Sequence, residues 1–272
     1  MRSAPFHRFD ESIVMSVRRS AIAVLLLSLA LGACWDDPVT ASTVDPALIE
    51  AANGRLRTTI AAPTKTITPG IKSLQLSAEG RAFGVYVPTT YDPATPAPVV
   101  VLLHGFNASG EGITLEFRDI AERAGVVVVA PNSRGQTWDL ILNNIGFDVA
   151  HIDGIMRWTF DHINVDPTRL TLSGFSDGGT YATWLGLRNG ALFAKIGVFS
   201  GCATVPTARR GTPRVFLTHG VADSVFSIDT CARPLPAALR GQGYTVEYLE
   251  HELGHVIPIG VADALFAWAA GT

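Results

Sequence analysis

The chain has few aromatic residues and no large excess of one charge. Aromatic side chains make up 8% of its 272 residues, and 21 Lys and Arg stand against 24 Asp and Glu, for a net charge of −3. A basic surface for binding nucleic acid is therefore not expected. No internal repeat stands out and no heptad pattern runs through the chain. Hydrophobic residues reach 47%, which is enough to bury the core of one large domain.

The N-terminal apolar run, residues 21–33, is too short to span a bilayer as a stable helix but has the length of a signal-peptide core. Two arginines stand just before it and supply the positive start of such a peptide. Two acidic residues further upstream do not suit that start, so Met15 is the expected initiator. We predict a signal peptide over residues 1–33 of an exported protein.

The apolar run ends in Leu-Gly-Ala-Cys, which resembles a bacterial lipobox with Cys34 as the lipidated residue. The alternative is an ordinary signal cut after Ala33. Trp35 stands where an aspartate would signal retention in the inner membrane, so an outer-membrane lipoprotein of the bacterial cell envelope is favoured. Residues 34–70 are rich in Thr, Ala and Pro and are predicted to be a lipid-anchored tether.

Cysteine is scarce, with three residues in all. Lipidation of Cys34 leaves Cys202 and Cys231, and an even pair in an oxidising compartment predicts a disulfide bond. Two separate buried thiols are the alternative. Both residues follow predicted strands, which favours the bond.

Strand and helix patterns alternate over residues 71–272 and predict one α/β domain, a mostly parallel central sheet with helices on both faces. The predicted strands are residues 81–87, 98–103, 126–130, 170–172, 195–199, 214–218 and 245–249. The predicted helices are residues 115–124, 149–162, 181–188 and 258–270, with a short one at 46–53 inside the tether.

A G-x-S-x-G motif centred on Ser176 carries the chemistry. A strand is predicted before it and a helix after it, as this motif requires. The serine then lies on a sharp turn, where Gly174 and Gly178 avoid side-chain collisions. Ser176 is therefore the candidate nucleophile.

The partners of such a serine follow in the order acid, then histidine. His255 lies in the loop between the last strand and the last helix, and is the candidate base, with His251 as the fallback. Asp223 follows the strand at 214–218 and is the candidate orienting acid, with Asp229 as the fallback. His219, at the end of that strand, is predicted to be structural.

An oxyanion hole needs two N–H donors. The amide of Asp177, directly after the nucleophile, is one candidate. The loop after the strand at 98–103 should supply the other, and there Phe106 is the candidate. His104 is predicted to be a structural hydrogen-bonding residue of that loop. Trp138 is a candidate residue of the substrate-pocket wall, and the alternative is a loop aromatic packed on the core. Phe226 and Ile257 are weaker candidates for the same wall.

These segments together resemble the phospholipase/carboxylesterase branch of the α/β-hydrolases, which includes acyl-protein thioesterases and secreted esterases. The similar segments are LLHGF (102–106), TWDLIL (137–142), GFSDGG (174–179), GLRNGALF (186–193), HGVADSV (219–225) and GYTVEYLEHELGHVIP (243–258). The resemblance implies hydrolysis, without a cofactor or metal, of short- to medium-chain esters and sometimes thioesters or lysophospholipids. Asn107 and Ala108 replace glycines common in relatives, and Asp177 replaces a glutamine frequent in thioesterases.

Two other classes compete with the esterase interpretation. His251 and His255 fit the H-E-x-x-H pattern of zinc peptidases, which requires a helix and a third ligand. Gly254 within the pattern and Pro258 just after it argue against that helix. A lipoprotein that keeps the fold and only binds ligands is the other alternative. We expect a small-molecule ester substrate and a membrane contact through Cys34, with no nucleic acid and no obligate protein partner.

Overall fold

The computed structural model describes residues 45–78 and 80–272. The described residues contain one eight-stranded sheet in the order β1-β2-β4-β3-β5-β6-β7-β8. The strands are β1 (Gly70–Gln75), β2 (Ala82–Val87), β3 (Ala97–Leu103), β4 (Val127–Pro131), β5 (Val165–Phe175), β6 (Lys195–Phe199), β7 (Arg214–Gly220) and β8 (Val246–His251). The helices are α1 (Pro46–Ala52), α2 (Gly110–Ala124), α3 (Phe147–His162), α4 (Asp177–Arg188), α5 (Ile228–Cys231), α6 (Pro234–Arg240) and α7 (Ile259–Ala270).

Six neighbouring strands of the sheet run parallel to one another, namely β4, β3, β5, β6, β7 and β8. Strand β2 is antiparallel to both β1 and β4. Parallel strands covered on both faces need apolar residues on both sides. β3 and β4 meet this need, since every one of their residues is buried. Their carboxyl ends, with those of β5, β7 and β8, meet along one edge of the sheet, where the candidate site residues follow.

Alternate residues of β3 belong to the two layers of the core. Val99 and Val101 pack on one face with residues of α3 and α4, whereas Val100 and Leu102 pack on the other with residues of α2 and α7. This alternation is the period of two expected of a strand. The predicted α/β fold with helices on both faces is confirmed.

Residues 45–69 do not form a tether, which corrects the predicted domain boundary at residue 71. Ala51 of α1 is 2% exposed within the main core. The Asn189 side chain accepts a hydrogen bond from the Leu56 amide (2.9 Å) and donates one to the Gly54 carbonyl (2.8 Å). The Asp153 carboxylate accepts hydrogen bonds from two further backbone amides of this segment. The α/β domain therefore includes the segment from Asp45 onward.

Three local predictions also change. Helix α2 begins five residues before its predicted start, because the Ser109 hydroxyl caps it by accepting a hydrogen bond from the Gly112 amide (3.0 Å). Strand β5 begins at Val165, five residues before its predicted start at residue 170, and a register shift against β3 marks a bulge in this added part. The short helices α5 and α6 were not predicted.

No helix of the described residues is both long and apolar enough to cross a membrane. The predicted signal peptide, Met15 and Cys34 lie outside the described residues.

Candidate active site

Ser176 stands between β5 and α4 with φ at 56° and ψ at −121°. A non-glycine residue in this left-handed region is strained, and the surrounding structure must hold it there. The glycines on either side allow the close approach. A Cβ atom on Gly174 would lie 2.3 Å from the Gly178 carbonyl oxygen, and one on Gly178 would lie 2.2 Å from the Leu103 carbonyl oxygen. The G-x-S-x-G motif therefore forms the sharp strand-to-helix turn predicted for it.

Three of the predicted residues form one hydrogen-bonded chain. The Nε2 atom of His255 lies 2.8 Å from the Ser176 hydroxyl oxygen, and its Nδ1 atom lies 2.7 Å from the Asp223 carboxylate. His255 comes from the loop after β8 and Asp223 from the loop after β7. A nucleophile, a base and an orienting acid are linked in this order in serine hydrolases.

The Asp223 carboxylate is held from several directions. One oxygen accepts hydrogen bonds from the Val225 and Phe226 amides, both at 2.9 Å. Burial alone would raise the pKa of Asp223, but the hydrogen bonds from His255 and from these amides outweigh it and hold the pKa below its ordinary value. The carboxylate is therefore ionised at neutral pH and can stabilise a protonated imidazole.

Two backbone N–H groups close to the nucleophile are the candidate donors of an oxyanion hole. Asp177 is the first residue of α4, so its amide has no acceptor within the helix. The Phe106 amide has no hydrogen-bond acceptor among the described residues. Gly105 brings the Phe106 loop close to the nucleophile, since a Cβ atom there would lie 3.4 Å from Cβ of Ser176. Both amides remain candidate donors for a developing oxyanion.

His104 and Trp138 lie beneath this loop. His104 is 1% exposed, and its ring contacts the Gly105 carbonyl and the Ser133 amide, as predicted for a structural residue. Trp138 is completely buried, and its indole N–H donates to the His104 carbonyl (2.9 Å). The proposed role of Trp138 as a wall of the substrate pocket is corrected, because its ring stacks on the Tyr181 ring inside the core.

A cavity of about 750 Å³ opens at Ser176. Its lining is mostly apolar or backbone and includes Ile257, as predicted, and residues of helix α2. Phe226 does not line the cavity, and its ring packs edge-on against His255 instead. The lining residues are Gly105, Phe106, Ala108, Ser109, Gly112, Ile113, Glu116, Phe175, Ser176, Val225, His255, Val256 and Ile257. Its volume lies within the range of small-molecule sites, about 300–1,000 Å³.

The fallback residues lie elsewhere. Asp229 is exposed and forms an ion pair with Arg233 (2.6 Å). His251 ends strand β8, so His251 and His255 do not share a helix face and the zinc-peptidase geometry is absent from this segment. The described residues contain no group of three or more His, Cys, Asp or Glu arranged to hold a metal ion.

The predicted pair Cys202 and Cys231 forms a disulfide bond, with the two Cα atoms 4.4 Å apart. Cys202 follows β6, and its amide donates to the Thr180 hydroxyl of α4 (2.9 Å). Cys231 ends α5, a short helix that follows the Asp223 loop. The bond therefore ties the loop after β6 to helix α5 at the edge of the sheet where the candidate site lies.

A buried polar network supports the loop behind the nucleophile, and sequence reasoning missed it. The Thr137 hydroxyl donates to the Asp177 carboxylate (2.6 Å), and the Tyr181 hydroxyl donates to Asp139 (2.9 Å). Asp148, which is fully buried, accepts a hydrogen bond from the Asp139 amide and pairs with Arg81. The segment TWDLIL contains two of these residues, and the sequence prediction names only its tryptophan.

The sheet order, the strained serine turn and the Ser–His–Asp chain place the protein in the α/β-hydrolase class. The family model described as putative esterase matches residues 77–239. The chain belongs to this esterase family.

Several curated relatives are similar to the chain. Feruloyl esterase C of Emericella nidulans is 31% identical over 172 residues, which cover 60% of this chain and 61% of the relative. A probable acetylxylan esterase A of Aspergillus fumigatus is 25% identical over 150 residues, which cover 50% of this chain and 40% of the relative. The chain thus spans about three fifths or less of these relatives' length.

Solved structures show the same fold. A ferulic acid esterase from Anaeromyces mucronatus superposes with a TM-score of 0.58 at 16% identity, covering 79% of this chain and 98% of its own. An S-formylglutathione hydrolase from Agrobacterium tumefaciens superposes with a TM-score of 0.56 at 21% identity, covering 74% and 94% of the two chains. At these identities the likeness concerns the fold alone.

Proposed function

We propose that the protein is a serine carboxylesterase that acts through an acyl-enzyme on Ser176. The observation that carries this proposal is the hydrogen-bonded chain from Ser176 through His255 to Asp223, which opens on a cavity. Membership of the esterase family supports it.

In the proposed reaction His255 Nε2 takes the proton of the Ser176 hydroxyl as its oxygen attacks the ester carbonyl carbon. The amides of Phe106 and Asp177 stabilise the tetrahedral oxyanion. Asp223 keeps the His255 ring oriented and stabilises its protonated form. His255 then returns the proton to the leaving alcohol as the carbonyl reforms. Water, activated by the same imidazole, attacks the acyl-enzyme and releases the acid.

The proposed substrates are small carboxylic esters of short to medium acyl length. The names of the relatives point to feruloyl and acetyl esters, and the mostly apolar lining of the cavity suits such groups. A thioesterase or a lysophospholipase using the same three residues is the second candidate function. The acidic side chain of Asp177 is turned toward Thr137, which leaves only its amide for the oxyanion.

We also propose that the protein is exported and anchored through lipid on Cys34. The apolar run at residues 21–33 and the cysteine directly after it support this proposal. The Cys202–Cys231 disulfide is in keeping with an oxidising compartment. Mass spectrometry of the mature N-terminus tests it, since diacylglycerol on Cys34 is expected and an unmodified Cys34 would contradict it.

A series of p-nitrophenyl esters from acetate to palmitate tests the proposed function. Wild-type protein should hydrolyse the shorter members, and a fluorophosphonate inhibitor or Ser176→Ala should abolish turnover. EDTA should have no effect. Folded protein that turns over no ester, or a Ser176→Ala variant at the wild-type rate, would overturn the proposal. Thioesters and lysophospholipids assayed in parallel distinguish the second candidate function.

A further inference from the structure

One wall of the Ser176 cavity is a single face of helix α2 and its cap. Ser109, Gly112, Ile113 and Glu116 line the cavity at spacings of three and four residues, which place side chains on one side of a helix. Three of these residues are neutral. Glu116 therefore brings the one carboxylate into the lining.

Helix α2 carries three glutamates, and two of them are engaged by the protein. Glu111 accepts hydrogen bonds from Ser73 and Asn132. Glu122 accepts hydrogen bonds from the Tyr86 hydroxyl and the Thr89 amide. Glu116 differs, because within the part of the chain that the structure describes its carboxylate makes no hydrogen bond and no ion pair.

The nearby cations of the same helix are already paired. Arg118 contacts Asp119 (2.9 Å), and Arg123 contacts Asp263 of α7 (2.7 Å). Neither arginine lines the cavity. The charge of Glu116 is thus not neutralised by these arginines, and its oxygens are available to a molecule bound beside Ser176.

We propose that Glu116 is a specificity-determining residue of this esterase. Its negative charge favours esters in which the acyl or alcohol group bound in the cavity is cationic or presents hydroxyl donors. The same charge disfavours esters in which that group is anionic. The proposal rests on the function proposed above and adds the charge class of the substrate. Glu116 is exposed, so solvent screens it, and the expected discrimination is about three- to tenfold in kcat/KM.

Two matched pairs of esters measure this discrimination without presuming which side of the ester enters the cavity. Acetylcholine and its neutral carbon isostere, dimethylbutyl acetate, test the alcohol side. The p-nitrophenyl hemisuccinate and its methyl ester test the acyl side. For each pair the ratio of kcat/KM, charged over neutral, is compared between wild-type protein and Glu116→Gln at low ionic strength.

In at least one pair, Glu116→Gln should change the charged-over-neutral ratio of kcat/KM about three- to tenfold. The ratio for acetylcholine should fall, or the ratio for the hemisuccinate should rise. Glu116→Lys should shift the same ratio further in the same direction, and added salt should reduce the difference. Asp119→Asn, on the same helix but outside the cavity, removes one negative charge as the matched control and should change neither ratio. Equal ratios in wild-type and Glu116→Gln protein, or an equal shift in Asp119→Asn, would overturn the inference. Failure of the proposed function is distinct, since wild-type protein would then hydrolyse none of the neutral esters.

Discussion

The Nε2 atom of His219 lies 3.2 Å from the Asp223 carboxylate oxygen that also lies 2.7 Å from Nδ1 of His255. His219 is 1% exposed, and the same Nε2 atom lies 2.8 Å from the Phe226 carbonyl. A nitrogen that faces a carbonyl at this distance carries the proton, so Nε2–H of His219 donates to the Phe226 carbonyl and holds the loop whose amides bind Asp223. His219 is thus a positioning residue for the candidate triad rather than only a residue of the strand end.

His219→Leu should therefore lower kcat/KM about tenfold, the equivalent of about 1.4 kcal/mol, because the Phe226 carbonyl loses its donor and the Asp223 loop loses support. Without the N–H group that lies 3.2 Å away, the Asp223 charge is less neutralised and stabilises the His255 imidazolium more. The acid limb of the kcat/KM profile should then move to higher pH. His219→Gln, which keeps a terminal N–H donor, should restore much of the rate. His251→Gln on the neighbouring strand is the control. A pH profile of His219→Leu that overlays the wild-type profile would mean that His219 only packs.

The lowered pKa of Asp223 predicts a pH dependence of stability. The folded protein binds this proton less tightly than the unfolded chain, so the ionised carboxylate stabilises the fold above the unfolded pKa of about 3.9. This contribution is lost as the pH falls through the lower, folded pKa. Thermal unfolding should thus show a Tm difference between wild-type protein and Asp223→Asn that is large at pH 7 and narrows below about pH 4. A difference that stays constant across that range would contradict the assignment.

The serine turn predicts unequal costs for two glycine substitutions. A Cβ atom on Gly178 would lie 2.2 Å from the Leu103 carbonyl oxygen, whereas one on Gly260 of α7 would have no atom within 4 Å. Gly178→Ala should therefore destabilise the fold by about 1–3 kcal/mol and abolish esterase activity, because backbone must move at the nucleophile. Gly260→Ala should be neutral or stabilising by up to about 1 kcal/mol. Urea unfolding and ester turnover measure both. Equal behaviour of the two variants would show that the turn tolerates a side chain.

The sheet and the Ser176–His255–Asp223 chain could be predicted because their signals are local. β6 is an apolar run between turns and has the predicted bounds, Lys195–Phe199. Each candidate residue follows a strand whose carboxyl end reaches the same edge of the sheet. The start of α2 could not be predicted, since glycine disfavours helices. Gly110 is needed there because a Cβ atom would lie 2.0 Å from the Ala130 carbonyl oxygen.

Tertiary contacts account for the other differences. A tryptophan in a loop is equally compatible with a pocket wall and with the core, and only the fold shows that Trp138 donates to the His104 carbonyl. His219 was predicted to be structural because its contact with Asp223 depends on how the loop after β7 turns back. The segment from Asp45 to β1 has the composition of a tether, yet side chains of α3 and α4 hold its backbone. Such contacts leave no periodic pattern in the sequence.

The contact between the N-terminal segment and α4 gives the last prediction. Asn189 is 5% exposed, and its side chain bonds the Leu56 amide and the Gly54 carbonyl. Asn189→Ala leaves these backbone groups without partners, so it should destabilise the fold by about 2–3 kcal/mol and expose residues 45–69 to proteolysis. Asn53→Ala removes an exposed amide that bonds only within its own turn (3.0 Å to the Ile49 carbonyl) and should cost under about 0.5 kcal/mol. Urea unfolding with limited proteolysis measures both. If Asn189→Ala matched Asn53→Ala in stability and cleavage, the segment would be a tether after all, because its backbone would not depend on the domain.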